Sequence, residues 1–252
     1  MSIKIAIYTA VFGGKDELKE PLNFKNNENI DYFIISDDKG IKSKCYNLVY
    51  KKPIYDDITK NARYYKIIGL EEFKSYDFII WHDANLQIVQ DEILKIITFV
   101  DNKGVGFFKH SERNCIYDEA IKCIQLEKDY PLKILKQIYE YYKKGIKNEM
   151  GIYETGLFVR NNKLINRDFI NFWWKEIKMK SKRDQISLPY ALKKFDIVPA
   201  IIEGNVRNNS YSVFHKHNYR HSTFLRKKLK TFHSLKKKVA IKCIYIIKKI
   251  NK

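Results

Sequence analysis

Only four cysteines occur in 252 residues, and Cys45, Cys115, Cys123 and Cys243 stand far apart with no CxxC pair. That spacing excludes a zinc ribbon or a disulfide-stapled scaffold and makes a reducing, cytoplasmic setting the expectation. With five prolines and ten glycines, no internal repeat, low-complexity linker or proline-rich hinge interrupts the chain before residue 204. No run approaches the roughly 18 uninterrupted apolar residues that a membrane-spanning helix needs. Met1 to Ala10 enters directly into a strand-like alternation containing Lys4, so no signal peptide is expected. Acidic residues are missing altogether from Gly204 to Lys252, a stretch that holds fourteen Lys and Arg.

That last absence relocates the formal charge of +19. The remaining residues carry 34 basic against 29 acidic side chains, an ordinary balance, so the excess belongs to a C-terminal tail. Residues 1–203 are read as one α/β domain and 204–252 as a basic helical extension. The whole chain is 45% apolar with 15 Phe and 18 Tyr, enough to bury a substantial core. In the tail, Phe232, Leu235, Val239, Cys243, Ile246 and Ile250 recur at steps of three and four, a helical apolar stripe. Lys236, Lys237, Lys238, Lys242, Lys248 and Lys249 fill much of the remaining surface. Such a helix suits the interface of an anionic bilayer. Docking on its own domain and nucleic-acid binding are the alternatives. The balanced body, with no nucleic-acid module, argues against the last, so no nucleic-acid partner is expected.

The body alternates strand and helix signals. Strands are predicted at Ile3–Tyr8, Tyr32–Ile35, Tyr46–Tyr50, Phe78–Trp81, Val105–Phe108 and Gly156–Arg160. Helices are predicted at Thr59–Glu72 with Thr59 as N-cap, and at Asp91–Val100, Ser111–Leu126, Pro131–Tyr142 and Arg167–Met179. Short apolar strands separated by helices imply a mostly parallel sheet, whose ligands bind beyond the carboxyl ends of the strands. Three strand ends carry polar or glycine-rich clusters: Thr9 to Gly14, Ser36 to Asp38, and His82 to Asn85.

Each cluster has two readings. Gly13-Gly14 lacks the spacing of a dinucleotide fingerprint or a P-loop, yet lets the backbone approach a nucleotide; otherwise it is a tight turn. Asp83-Ala84-Asn85 offers a carboxylate and an amide oxygen two residues apart, ligands suited to Mg²⁺ or Mn²⁺ against a diphosphate; otherwise it is an Asx turn. Lys109 to Asn114 packs ionisable groups where a substrate loop is expected, although Ser111 also reads as a helix N-cap. Asp184 reads as a first-turn acid of a helix, and Trp173-Trp174 as core more readily than as a sugar platform. His215, His217 and His221 adjoin the basic tail and do not define a metal site by themselves.

In order, the segments IAIYTAVFGGKDELKEP, DYFIISDD, NARYYKI, YDFIIWHDANLQI, KHSERNCIYDEA, YETGLFVRNN and SKRDQISLPYAL resemble the glycosyltransferase-like domain family named for plant turgor-regulation-defect and mucilage-related proteins. The resemblance spans roughly residues 3 to 200 and implies a GT-A-type, Rossmann-like sandwich. It implies an enzyme of EC 2.4 type that moves a sugar from a nucleotide-sugar donor to a hydroxyl of a glycan or lipid-linked acceptor. The composition suggests a bacterial source and a role in surface polysaccharide such as capsule or lipopolysaccharide. Under the resemblance, Thr9, Ala10, Val11, Gly13, Gly14, Asp37, Asp38, Arg63, Lys66 and Asp83 bind the donor. Asp83 and Asn85 hold Mn²⁺ or Mg²⁺, completed by His215 or His217; Asn85 departs from a second Asp and leaves one charge fewer. His110, Glu112, Arg113 and Gln185 face the sugar or acceptor, and Glu154 and Asp184 are the two candidates for the catalytic group that contacts or deprotonates the acceptor hydroxyl, a part neither need play if the reaction retains the anomeric centre. A hydrolytic or inactive relative of the same fold is the competing reading. The tail then implies peripheral attachment to the inner face of the plasma membrane.

Overall fold

β1 (Ile5–Val11) is buried along its whole length because both of its edges and both of its faces are covered, as its nearly continuous apolar sequence requires. The structure is a computed structural model that describes residues 2–14, 16–216 and 230–251, with the backbone alone for 230–233. It contains two compact units: residues 1–109, 154–171 and 198–219 form the first, and residues 110–153, 172–197 and 220–252 the second.

In the first unit, β1 pairs in parallel with β2 (Ile30–Ser36), which pairs in parallel with β3 (Tyr46–Tyr50). On its other side β1 pairs in parallel with β4 (Phe78–His82). The sheet continues through β7 (Tyr153–Asn161), β6 (Val105–Lys109) and β8 (Ala200–Ile202), in the order β3-β2-β1-β4-β7-β6-β8. β7 runs antiparallel to β4, so the expected mostly parallel sheet is mixed, its parallel part being β3-β2-β1-β4 and β6-β8. A small antiparallel pair, β5 (Leu86–Ile88) with β9 (Ser212–Phe214), lies beyond the end of β4; neither strand was expected, since three residues carry too little periodicity to be read. Ile5, Ile7, Ile34, Ile80, Leu157 and Val159 from the strands meet Ile93, Ile96 and Ile97 of α2 (Ile93–Thr98) in one apolar core.

α1 (Ile58–Ile68) is shorter than expected at its C-terminal end. Its N-cap is Asp57, not Thr59: the Asp57 carboxylate accepts from the Thr59 and Lys60 amides. It stops at Gly69, whose φ of 78° a side chain resists, and a short 3₁₀ turn, Glu71–Ser75, replaces the expected last turn.

The second unit contains α3 (Ile116–Gln125), α4 (Pro131–Lys143), the part of α5 (Arg167–Met179) from Phe172 onward, α6 (Asp184–Lys194) and α7 (Lys230–Ile250). α3 starts five residues later than Ser111, with the Cys115 thiol as the acceptor for the Asp118 amide. Trp173 and Trp174 are buried, and the Trp173 indole donates to the Asp184 carbonyl, which makes this pair core.

Candidate active site

Because β1, β2 and β4 are mutually parallel, their carboxyl ends open on one edge of the sheet, and the three polar clusters lie there. Thr9, Ala10 and Val11 are the last residues of β1 and are buried. Gly13 and Gly14 follow with φ of 63° and 59°, two successive left-handed residues. A Cβ at Gly13 would come within 2.9 Å of the Ile58 side chain at the start of α1. The Asp37 carboxylate at the end of β2 accepts from the Gly13 amide at 3.0 and 3.2 Å, tying the glycine loop to the neighbouring strand. Asp38 instead closes its own turn, accepting from the Gly40 amide at 2.7 Å. Phe12 stacks on Tyr65 of α1 with ring centroids 5.6 Å apart.

α1 presents Arg63 and Lys66, one turn apart, to the end of β4. The Lys66 side chain is almost completely buried, and its Nζ lies 3.3 Å from Asp83 Oδ1. Arg63 Nη1 lies 4.0 Å from the same oxygen, and the Trp81 indole N–H donates to it at 3.0 Å. Lys66 Nζ is also 5.5 Å from the Trp81 ring centroid, a cation–π contact. Asp83 Oδ1 thus faces two cations and an indole N–H, and the Asp83 amide donates to the Gly156 carbonyl of β7 at 2.7 Å. Glycine at 156 leaves room for it: a Cβ there would stand 3.5 Å from Asp83 Oδ2 and 3.2 Å from Val206.

Behind Asp83, His82 is fully buried. Its Nδ1–H donates to the Leu86 carbonyl at 2.9 Å, and Nε2 faces the Tyr46 hydroxyl at 3.1 Å. Burial pushes its pKa down to about 4, against the opposing pull of the Asp83 and Leu86 carbonyls, so the ring is neutral.

The fit of this edge to a divalent cation is decided by its donor chemistry. Asp83 is the one carboxylate of the expected set, and its Oδ1 already faces an ammonium and an indole N–H. The Asn85 amide nitrogen donates to the His215 carbonyl at 2.9 Å, and His215 Nε2 meets Gln87 Oε1 at 2.9 Å, so both side chains join β5 to the strand that follows it in space, β9. His217 lies outside the described residues. Among the described residues no three His, Cys, Asp or Glu side chains converge as a metal cluster. The described residues of the expected set therefore present one carboxylate and no second charged donor.

A group that sequence reading overlooked holds α1 in place. Arg160, inside β7, is fully buried and donates through Nη1 to the Ile67 carbonyl and through Nη2 to the Tyr8 hydroxyl, each at 2.6 Å. Tyr8 in turn donates to the Lys66 carbonyl at 2.7 Å. The last carbonyls of α1, which lack intrahelical partners, are satisfied by this pair. The available signal was an arginine inside the apolar run Gly156 to Arg160. Glu154, one of the two expected catalytic carboxylates, is buried at the start of the same strand, and its Oε2 accepts from the Val206 amide at 2.6 Å.

The other expected residues belong to the second unit. Arg113 Nε donates to Glu119 of α3 at 2.8 Å, Nη1 to Glu112 at 2.8 Å, and Nη2 lies 2.7 Å from His110 Nε2. Glu119 also has Arg183 Nη2 at 3.8 Å. Gln185 donates to the Tyr153 carbonyl and accepts from Arg183. Asp184, the first residue of α6, is fully buried, and its carbonyl receives the Trp173 indole and the Ser187 hydroxyl. The structure therefore brings His110, Glu112 and Arg113 together, and it places Glu154 and Asp184 in different units.

A mixed, largely parallel α/β sheet with loops and basic side chains at the carboxyl ends of its strands is a GT-A-like, Rossmann-type architecture. The chain belongs to the family described as TOD1/MUCI70, glycosyltransferase-like domain, whose model matches residues 1–227. That membership supports a glycosyltransferase-type activity in general. No curated protein matches the sequence. Among solved structures, the apo form of mouse xyloside xylosyltransferase 1 is similar at 8% identity, with 79% of this chain and 84% of that one covered and a TM-score of 0.43. The apo form of the glycosyltransferase GlyE from Streptococcus pneumoniae TIGR4 is similar at 11% identity, with 80% of this chain and 46% of that one covered and a TM-score of 0.44.

Proposed function

We propose that this protein transfers a sugar from a nucleotide-sugar donor to a hydroxyl of a glycan or lipid-linked acceptor. The observation that carries the reading is the pairing of buried Lys66 and neighbouring Arg63 around Asp83 at the sheet edge, beside the Gly13-Gly14 loop. In the reaction the bond between the anomeric carbon and the diphosphate breaks, and a bond to the acceptor oxygen forms. Negative charge grows on the leaving diphosphate, and fixed cations near it stabilise the transition state more than the ground state. Lys66 and Arg63 supply that charge, and Asp83 and Trp81 hold the ammonium in position. The glycine loop, fastened by Asp37, lets backbone come close to the nucleotide. If the transfer inverts the anomeric centre, the acceptor proton passes to a carboxylate, for which Glu154 and Asp184 are the candidates; if it retains it, neither need take that part. The His110, Glu112 and Arg113 group is assigned to the sugar or acceptor.

The test is nucleoside diphosphate binding by calorimetry, together with turnover of a nucleotide-sugar panel, for the wild type, Lys66→Met and Asp83→Ala. Diphosphate affinity is expected to fall at least tenfold in Lys66→Met, and turnover to be lost in Asp83→Ala. Wild-type affinity in the first variant together with wild-type turnover in the second removes this edge from the chemistry.

A further inference from the structure

α7 has two apolar faces, and among the described residues only one is used within its unit. Ala240 and Ile244 are fully buried, and Ile241 and Ile247 pack against the same cluster as Ile121, Ile124 and Ile138 of α3 and α4. The edges of that docked face are fastened by polar contacts. Lys237 Nζ donates to the Gln125 carbonyl at 2.8 Å, Lys248 Nζ pairs with Asp118 at 2.7 Å, and Asn251 donates to the Ile146 carbonyl at 2.6 Å.

Four residues of the stripe picked out from the sequence lie on the opposite side; the Phe232 side chain lies outside the described ones, and Cys243 is half-buried. Leu235, Val239, Ile246 and Ile250 are between 47% and 65% exposed. Lys238, Lys242 and Lys249 alternate with them and are exposed as well. From Leu235 to Ile250 the face runs about 22 Å at 1.5 Å per residue, and α7 carries no acidic residue. The helix is held by its inner face, so the outer one is presented ready-made.

We infer that the outer face of α7 docks on the surface of an anionic lipid bilayer, lying in the interface without crossing it. Among the described residues no helix is long and apolar enough to span a membrane. The alternation of apolar side chains with long lysines matches such a surface: the apolar groups enter the headgroup boundary, and the ammonium groups reach the lipid phosphates. A second copy of the chain would set these lysines against themselves with no acid to receive them. A nucleic acid would engage the lysines and leave Leu235, Val239, Ile246 and Ile250 in water. This inference is independent of the donor chemistry proposed above.

The experiment is co-sedimentation of the full chain with vesicles of phosphatidylcholine alone or with 30 mol% phosphatidylserine, in about 0.1 M salt where surface charges still act. Wild type is expected to partition to the anionic vesicles and hardly to the neutral ones. Changing Lys238, Lys242 and Lys249 together to Ala is expected to lower that partitioning on the order of a hundredfold, at about fivefold per lysine. Val239→Glu with Ile246→Glu is expected to lower it more than tenfold while the circular dichroism spectrum and unfolding midpoint stay those of the wild type. Equal partitioning to both vesicles, or unchanged partitioning of either folded variant, overturns the inference. So does a dimer in light scattering that these variants dissociate, or oligonucleotide binding tighter than vesicle binding that they abolish.

Discussion

Replacing Tyr8 by Phe removes a single oxygen from the middle of the first unit, and the structure specifies its cost. The hydroxyl is buried, donates to the Lys66 carbonyl at 2.7 Å and accepts from Arg160 Nη2 at 2.6 Å. Burial pushes its pKa up to about 12, with Arg160 opposing, so it remains a donor throughout the range in which the protein is handled. The ring itself keeps its packing against Phe73 and Trp81, at 4.7 and 5.1 Å. What is lost is one neutral hydrogen bond, about 1 kcal/mol, and the acceptor of one charged donor, about 1.5 to 3 kcal/mol. A loss of roughly 2 to 4 kcal/mol is a large part of a stability of about 5 to 15 kcal/mol. In urea, with a slope near 3 kcal/mol per M, it lowers the unfolding midpoint by about 1 M. Tryptophan fluorescence reports the transition, since Trp81 lies against the substituted ring. The same change loosens the end of α1, so under the proposed function nucleoside diphosphate affinity is expected to fall as well. Arg160→Met made in the Tyr8→Phe background is expected to cost less than in the wild type, because the two side chains act as a unit. An unmoved midpoint, or strictly additive losses, refutes the network.

Acid is expected to weaken the protein through His82. Its folded pKa of about 4 lies below the ordinary value of 6.5, so the unfolded chain binds the extra proton between those values. The contribution is complete above pH 6.5 and is lost as the pH falls towards 4, a total of about 3 kcal/mol. His82→Gln is expected to flatten that part of a stability profile measured by urea unfolding, and an equally steep profile would assign the slope to other groups. Gly13→Ala forces a side chain into φ of 63° and towards Ile58 at 2.9 Å. It is expected to weaken donor binding at least tenfold by displacing the loop, which titration calorimetry checks, with Gly40→Ala as a loop control outside this contact.

Much of the framework is legible in local pattern. The edges of β3 and α5 coincide with the predicted spans, and the strands ending in Gly13-Gly14, Asp37 and Asp83 are where their apolar runs place them. A buried parallel strand must be apolar on both faces, so it stands out from its surroundings. Two helix starts were less legible: Asp57 and Cys115 take the capping roles assigned to Thr59 and Ser111, because several side chains in each stretch can cap and the loop path selects one. The antiparallel course of β7 and the pairing of β5 with β9 depend on returns of the chain over long separations, which no local period records.

The candidate site divides in the same way. Asp83, Lys66 and Arg63 were named from their segments, and their convergence follows from one helix crossing to one parallel strand end. Tyr8 and Arg160, 152 residues apart, were joined only by folding, as were the hydrogen bonds that commit Asn85 and His215 to each other and to Gln87. In the tail, residue spacing was enough to specify a helix and an apolar stripe, since both follow from 3.6 residues per turn. Which arc of that helix turns inward was settled by the surface that α3 and α4 offer, and they took Ala240 and Ile244. Periodicity describes an element's own geometry, whereas burial belongs to a pair of surfaces, and the second surface is supplied by distant parts of the chain.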